Sequence, residues 1–156
     1  MNIFVLDTDP RLAAQAQCDR HVVKMTLETA QLLCSAFDLG LAPYKRTHHN
    51  HPCAVWARQS ASNFMWLAEH GLYLADEYEH RYGKEHKSRS VILWCMNNVG
   101  MANVPHDDQT PFAQAMPDQF KRADPVEAYR AYYLGAKGDI AQWNKARPAP
   151  EWWRNA

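Results

Sequence analysis

The sequence predicts a mainly α-helical protein: a compact bundle of two long crossing helices and two shorter ones, with a short N-terminal strand or extended segment and long ordered loops. Apolar residues recur every three to four positions along two long stretches, which is the period of an amphipathic helix. A capping residue precedes a proline at Asp9, His51 and Asp124, and this pairing favours a helix start. The 156 residues suffice to bury a core, and we expect a single domain over residues 1–156.

The N-terminal half contains both long helices. The apolar run NIFVL, residues 2–6, is expected to form the short strand or extended segment. A helix of about 30 residues, either continuous or broken once, is expected from Pro10 towards Gly40. The second begins after a cap at Asn50 or His51 and continues to Gly83, a residue that favours a helix end.

The C-terminal half is less regular. Ser88 is expected to start a third helix, and residues 97–120 are expected to form a long ordered loop with one helical turn in FAQAM. Asp124 and Pro125 start the last helix. The segment WNKARPAPEWWRN is too rich in proline for a helix, but its three tryptophans are expected to pack on the body of the protein.

Composition excludes several classes of protein. The four cysteines form no CxxC pair, which excludes a zinc ribbon or a disulfide framework and predicts reduced, mostly buried thiols. No apolar run approaches the roughly 20 residues of a membrane span, so we expect no membrane partner and a cytoplasmic protein, in the host cell if it is phage-encoded. The formal net charge is zero, so any nucleic-acid contact must depend on local basic patches.

Four polar side chains fall on one stripe of the first long helix: His21, Lys24, Glu28 and Gln31. One interpretation is a solvated face with an ion pair between Lys24 and Glu28. The other is a catalytic stripe, because a carboxylate beside a histidine and a lysine can transfer protons, and a desolvated lysine can act as a nucleophile. The candidate catalytic residues are therefore Glu28, His21 and Lys24.

A second polar stripe lies on the other long helix. If the two helices cross, both stripes can face one cleft, where a tryptophan would stack on a base; the alternative for each tryptophan is the core. The candidate substrate-binding residues from this helix are Trp56, Arg58, Asn63, Trp66, His70 and Arg81.

The segment YKRTHHNHPC, residues 44–53, has the composition of a metal site but not its spacing. Its three histidines and Cys53 crowd into six residues, whereas tetrahedral sites draw ligands from two separated segments, so we expect no metal and no cofactor. The start of a helix favours a phosphate instead. The candidate phosphate or base contacts here are Lys45, Arg46, His48 and His51.

The layout resembles the bacteriophage-type pyrimidine-dimer DNA glycosylases of the endonuclease V class. A histidine seven residues before a glutamate on the first helix, the segment DEYEHRYGKEH at residues 76–86, and a Tyr-Tyr pair near the C-terminus together give this likeness. The resemblance implies that Glu28 is essential and that His21 supports it. It also implies a basic turn after the second long helix, where His86 and Lys87 are the candidate substrate contacts.

Two features depart from that family's pattern. The family's nucleophile is an N-terminal amine freed by removal of the initiator methionine, whereas Asn2 is large enough to oppose that removal. The α-amine of Met1 serves instead, or Lys24 supplies the amine, or lyase chemistry is absent. The family's arginines beside the glutamate are replaced by Leu27 and Gln31, which implies altered substrate handling.

We therefore expect an enzyme that acts on a flipped pyrimidine in DNA, of the glycosylase or glycosylase/lyase type, with Glu28 as the central acid or base. One alternative is a transferase that joins a small amine or amino acid to a modified thymine of phage DNA. Another is a noncatalytic helical phage protein that binds DNA or a partner.

Overall fold

The computed structural model describes residues 1–156 and contains seven α-helices and two single turns of 3₁₀ helix, with no strand. The prediction of a mainly α-helical fold is confirmed. The helices are α1 (Pro10–Ala16), α2 (Asp19–Cys34), α3 (Pro52–Gln59), α4 (Ala61–Tyr82), α5 (Arg89–Asn97), α6 (Pro125–Ala136) and α7 (Glu151–Arg154), and the 3₁₀ turns are Val99–Met101 and Asp118–Phe120.

The predicted helix ends are capped as the residue types indicate. The Asp9 carboxylate accepts hydrogen bonds from two backbone amides of α1, and Asp124 accepts one from α6. His51, not Asn50, is the cap of α3, where its Nδ1 accepts from the Cys53 amide. Gly83 ends α4 in the left-handed conformation, with φ of 72°.

The first predicted long helix is broken once, between α1 and α2, where Gln17 and Cys18 are extended. The backbone groups released by the break find partners from far along the chain. The Cys18 amide donates to the Tyr133 hydroxyl, and the Asp19 amide donates to the Gln142 carbonyl. This break therefore depends on tertiary contacts, and α2 ends at Cys34, before the predicted Gly40.

The second predicted long helix is also broken, and here the local sequence explains the break. Ser60 is extended, with φ of −154°, and its hydroxyl caps α4 by accepting a hydrogen bond from the Asn63 amide. A serine that caps a new helix competes with continuation of the preceding one. One continuous helix from residue 51 to residue 83 was thus a wrong prediction.

The two longest helices, α2 and α4, pack directly against each other. Gly71 of α4 lies at the contact, and a Cβ atom built there would stand 2.7 Å from Cγ2 of Thr29 on α2. Because that distance is too short for any side chain, the glycine permits the close approach that places α2 on the body. Around this contact, one cluster of buried apolar side chains joins the N-terminal segment with α1 to α6.

The N-terminal segment is not a strand. It is buried, and the Asn2 side chain folds back so that Oδ1 accepts from the amides of Ile3 and Phe4 at 2.8 and 3.2 Å. Phe4 has φ of 40°, a left-handed conformation that few non-glycine residues adopt and that interrupts an extended chain. The segment is therefore a buried hook, which turns the Met1 amine towards α2.

Two predictions for the C-terminal half need correction. FAQAM forms no helical turn, because the Tyr129 hydroxyl donates to the Ala113 carbonyl and accepts from the Ala115 amide, which holds the segment open. The last residues do form one helical turn, α7, which begins directly after the final proline. As predicted, the tryptophans of this region pack on the body, with Trp152 and Trp153 edge-on to Tyr133.

The four cysteines are free and buried, as predicted. None of the helices has both the length and the apolar character that a membrane span requires.

Candidate active site

A cavity of about 170 Å³, here called the Glu28 pocket, lies where α2, the N-terminal hook and the end of α6 meet. It brings together all three candidate catalytic residues. Its lining residues are Met1, Asn2, Phe4, His21, Lys24, Met25, Glu28, Tyr132 and Lys137.

Glu28 and the chain's own α-amine are the central pair of this pocket. The Met1 nitrogen lies 3.5 Å from Oε1 of Glu28, while Oε2 is buried and has no hydrogen-bond partner. The Glu28 side chain is 11% exposed and that of Met1 2%. A carboxylate oxygen without a protein partner beside a primary amine is suited to accept a proton.

The N-terminal hook positions that amine. Besides the two amides held by Oδ1, the Asn2 side chain donates from Nδ2 to the Ala115 carbonyl at 2.8 Å. Asn2 is 7% exposed, so these bonds are shielded from water. The Asn2 side chain therefore fixes the direction of the chain at Met1.

Lys24 forms no ion pair with Glu28, although the two residues are one helical turn apart. Lys24 is exposed at the rim of the pocket. A second lysine, Lys137, lies across the pocket with Nζ 4.8 Å from the centre of the Tyr132 ring. Sequence reasoning missed Lys137 and Tyr132, and the Tyr-Tyr pair near the C-terminus was the available signal.

His21 is buried in the wall of the pocket. Its ring stacks on Phe4, with centroids 4.3 Å apart, and its Nδ1 lies 2.5 Å from the Tyr133 hydroxyl. Burial, and to a smaller extent the charges of Lys137, Lys24 and Arg20, lower the pKa of His21 to about 3. Burial also raises the pKa of Tyr133 well above its ordinary value. His21 is therefore a neutral, fixed ring at neutral pH.

We expect His21 to make stability depend on pH below neutrality. Between about pH 6.5 and pH 3 the unfolded chain binds a proton at His21 that the folded chain does not, so the free energy of unfolding falls as pH falls. A His21→Phe variant, which keeps the stack on Phe4, should show a shallower fall in urea unfolding measured from about pH 7 to pH 4. His106→Gln, at an exposed site, is the control; equal slopes in both variants would contradict the expectation.

The candidate residues in the loop before α3 border a second cavity on α2. This loop cavity, about 470 Å³, is lined by Leu27, Gln31, Tyr44, Lys45, Arg46 and Thr47. The Arg46 guanidinium donates to the Phe37 carbonyl at 2.6 Å. Lys45 and Arg46 thus place cations beside the two α2 positions that lack the arginines of the resembled family.

The other candidates near this loop lie outside both cavities. His48 is exposed and has φ of 51°, while His51 is occupied as the cap of α3. Arg58 donates to the His49 carbonyl at 2.5 Å. No group of three or more histidine, cysteine, aspartate or glutamate side chains converges anywhere in the chain.

The polar stripe of α4 does not face the Glu28 pocket. Trp66 donates to the Thr8 carbonyl, His70 is fully buried beside Gln17, and Asn63 bonds the Trp56 carbonyl and Thr110. Trp56 is 1% exposed. These side chains stabilise the contact of α4 with α1, α3 and the loop at Thr110, and none lines the cavities along α2.

Arg81 is the centre of a buried charge network rather than a free cation. Hydrogen bonds from Arg147 and Arg81 overcome the effect of burial and lower the pKa of Glu77. The Arg81 guanidinium donates to four groups, Glu77 at 2.8 Å, Asp19 at 3.1 Å, the Gln17 carbonyl at 2.8 Å and the Gln15 carbonyl at 2.9 Å.

We expect Arg81→Met to destabilise the protein by about 3 kcal/mol, because it leaves buried carboxylates short of a partner. For a chain of this length that corresponds to a fall in Tm of roughly 6–12 °C. Thermal unfolding followed by circular dichroism measures this, with Arg11→Met at an exposed site as the control. An unchanged Tm would show that the network contributes nothing to stability.

The basic turn after α4 lies close to α2. His86 is half-buried, with Nε2 3.0 Å from the Val23 carbonyl oxygen, and Lys87 beside it is exposed. Val23 is one turn before Leu27 on the exposed face of α2. The turn therefore borders the exposed face of α2 on which Leu27 lines the loop cavity.

Comparison with known proteins identifies a family for this chain. A model of the family described as pyrimidine dimer DNA glycosylase matches residues 1–90, which is more than half of the chain. Searches of curated proteins and of solved structures gave no match. The matched region holds Met1, His21, Lys24 and Glu28, whereas Tyr132 and Lys137 lie outside it. The chain belongs to the pyrimidine dimer DNA glycosylase family.

Proposed function

We propose that this protein is a DNA glycosylase with lyase activity, in which the Met1 α-amine attacks the sugar of a damaged pyrimidine nucleotide and Glu28 accepts the proton. One observation carries the proposal: the amine lies 3.5 Å from a buried carboxylate whose other oxygen has no partner. Family membership supports DNA as the substrate and glycosidic cleavage as the class of reaction.

Met1 is a better candidate nucleophile than either lysine. The amine must be unprotonated to attack, and α-amines as a class lose their proton at lower pH than lysine ammonium groups. Lys24 is exposed at the rim and forms no ion pair with Glu28, while Lys137 lies over the Tyr132 ring. Only the α-amine is directed at Glu28 by the hook.

In the proposed step, the amine nitrogen forms a bond to C1′ of the sugar as the bond from C1′ to the base breaks. The electron pair of that bond stays on the pyrimidine nitrogen, which takes up a proton from water, and in a dimer the base remains joined to the neighbouring pyrimidine. Glu28 accepts the proton released by the amine and passes it to the ring oxygen as the sugar opens to a protonated imine. Because the Met1 amine and Glu28 are held 3.5 Å apart, proton transfer between them needs no diffusional encounter.

The remaining side chains of the pocket position the reactants. Neutral His21, which contacts Tyr133 and Phe4, forms a fixed part of the pocket wall near Glu28 and adds no charge there. Lys24 and Lys137 supply positive charge at the rim, where the phosphates of a strand entering the pocket would lie. We assign Lys45 and Arg46 the same role on the far side of Leu27.

The experiment is incubation with an irradiated duplex, an unirradiated duplex and a duplex of phage-modified pyrimidines, with and without borohydride. Glycosidic cleavage, read as strand breaks after alkali treatment, and a borohydride-trapped adduct are expected on the irradiated duplex alone. The absence of both products on all three duplexes would overturn the proposal. Incorporation of a labelled amino acid into the modified duplex would identify the transferase alternative, and binding without any product would identify the noncatalytic one.

A further inference from the structure

Another cavity lies beside the Glu28 pocket, and half of its lining comes from residues 139–145, which are outside the family match. This C-terminal cavity, about 640 Å³, lies between α2 and residues 139–145, and Lys24 lines both it and the Glu28 pocket. Its lining residues are Asp19, Arg20, Val23, Lys24, Tyr82, Asp139, Ile140, Gln142, Asn144 and Lys145.

The C-terminal wall of this cavity is fixed to the helices. The Asn144 amide donates to Oδ2 of Asp19 at 2.7 Å, and the Asp19 amide donates to the Gln142 carbonyl at 2.9 Å. Between these contacts the Trp143 indole donates to the Ala16 carbonyl at 3.2 Å. The wall is therefore preformed, so a ligand would not have to order it.

The charges of the cavity favour an anion. Arg20, Lys24 and Lys145 carry three positive charges, and none forms an ion pair within the protein. Asp19 is already paired with Arg81, which leaves Asp139 as the one unpaired carboxylate of the lining. Lys145 is additionally held 5.2 Å over the Tyr82 ring.

We propose that the C-terminal cavity binds backbone phosphates of the DNA strand that enters the Glu28 pocket, with Arg20 and Lys145 as the contacting side chains. This rests on the proposed function, because it takes the occupant of the adjoining pocket to be a nucleotide. Lys24 links the two cavities, so a strand leaving the Glu28 pocket on this side passes directly over Arg20 and Lys145. Asp139 would repel the same strand.

The test measures duplex binding by fluorescence anisotropy between about 50 and 200 mM salt, in full-length protein carrying Glu28→Gln to prevent turnover. Each lost phosphate contact lowers the salt slope by about 0.9, which corresponds to about eightfold weaker binding at 0.1 M salt. We expect this of Lys145→Gln and of Arg20→Gln, and tighter binding from Asp139→Asn. Lys121→Gln, which lines none of these cavities, is the matched control.

Neutral methylphosphonate linkages placed one at a time beside the target nucleotide identify the contacted phosphate. At one of these linkages, the methylphosphonate should weaken DNA binding by the protein that retains Lys145. The same linkage should leave DNA binding by the Lys145→Gln protein unchanged. If Lys145→Gln and Arg20→Gln both behave like Lys121→Gln, the proposal is wrong. These binding measurements need no turnover. The phosphate contacts can therefore be confirmed even if no glycosidic cleavage is found, and they can be refuted even if cleavage is found.

Discussion

Replacing Glu28 with glutamine will lower the rate of glycosidic cleavage by about 10²- to 10⁴-fold, the usual contribution of a general acid or base. Glutamine has nearly the same shape but cannot accept the proton that the Met1 amine must lose. The Glu28 side chain is 11% exposed, so bulk water has little access as a substitute base. Single-turnover glycosidic cleavage of an irradiated duplex, read as strand breaks after alkali treatment, measures the effect.

Two controls separate this loss of catalysis from misfolding or weakened binding. Glu69→Gln removes an exposed carboxylate from α4 and should leave the rate unchanged. Glu28→Gln itself should keep the circular dichroism spectrum of the folded protein at the assay temperature and the affinity for duplex DNA. A rate within about threefold of the unaltered protein would remove Glu28 from the proton-transfer step, since such a step contributes far more.

Placing one extra glycine before Met1 will abolish both the trapped adduct and strand cleavage. The added residue moves the α-amine by up to about 3.8 Å, the distance between consecutive Cα atoms, while the hydrogen bonds of Asn2 keep Met1 in place. Two preparations released from the same cleavable leader, one ending in free Met1 and one in glycine followed by Met1, provide a matched pair. Gel mobility of the DNA after borohydride treatment measures the adduct.

Lysine variants provide the complementary control. Lys24→Gln and Lys137→Gln should each retain the adduct, because neither amine is directed at Glu28. Retention of the adduct after the glycine extension, together with its loss in Lys24→Gln, would assign the nucleophile to Lys24 instead.

The local signals in the sequence were sufficient to predict that the fold is helical and where most of the helices begin. Asp9, His51, Asp124 and Gly83 act on their own neighbours, so their effect can be predicted without knowing the fold. The stripe of His21, Lys24 and Glu28 was also predictable, because helix geometry alone places these residues on one face. All three line the same pocket.

The contacts between distant segments were not predictable in this way. Periodicity shows that α4 has a polar stripe but not that α1 and the C-terminal segment cover it, so His70 and Arg81 appeared as candidates for substrate contact although both are buried. Likewise, nothing local shows that the Asn2 hook turns Met1 towards Glu28, or that α6 carries Lys137 to the same pocket.

Mass spectrometry of the borohydride-trapped adduct tests the central claim most directly. After reduction with an irradiated duplex and digestion with protease and nuclease, we expect the sugar remnant on the α-nitrogen of Met1, in the N-terminal peptide. A remnant on Lys24 or Lys137, or glycosidic cleavage with no covalent adduct at all, would contradict the pairing of Met1 with Glu28 as nucleophile and proton acceptor.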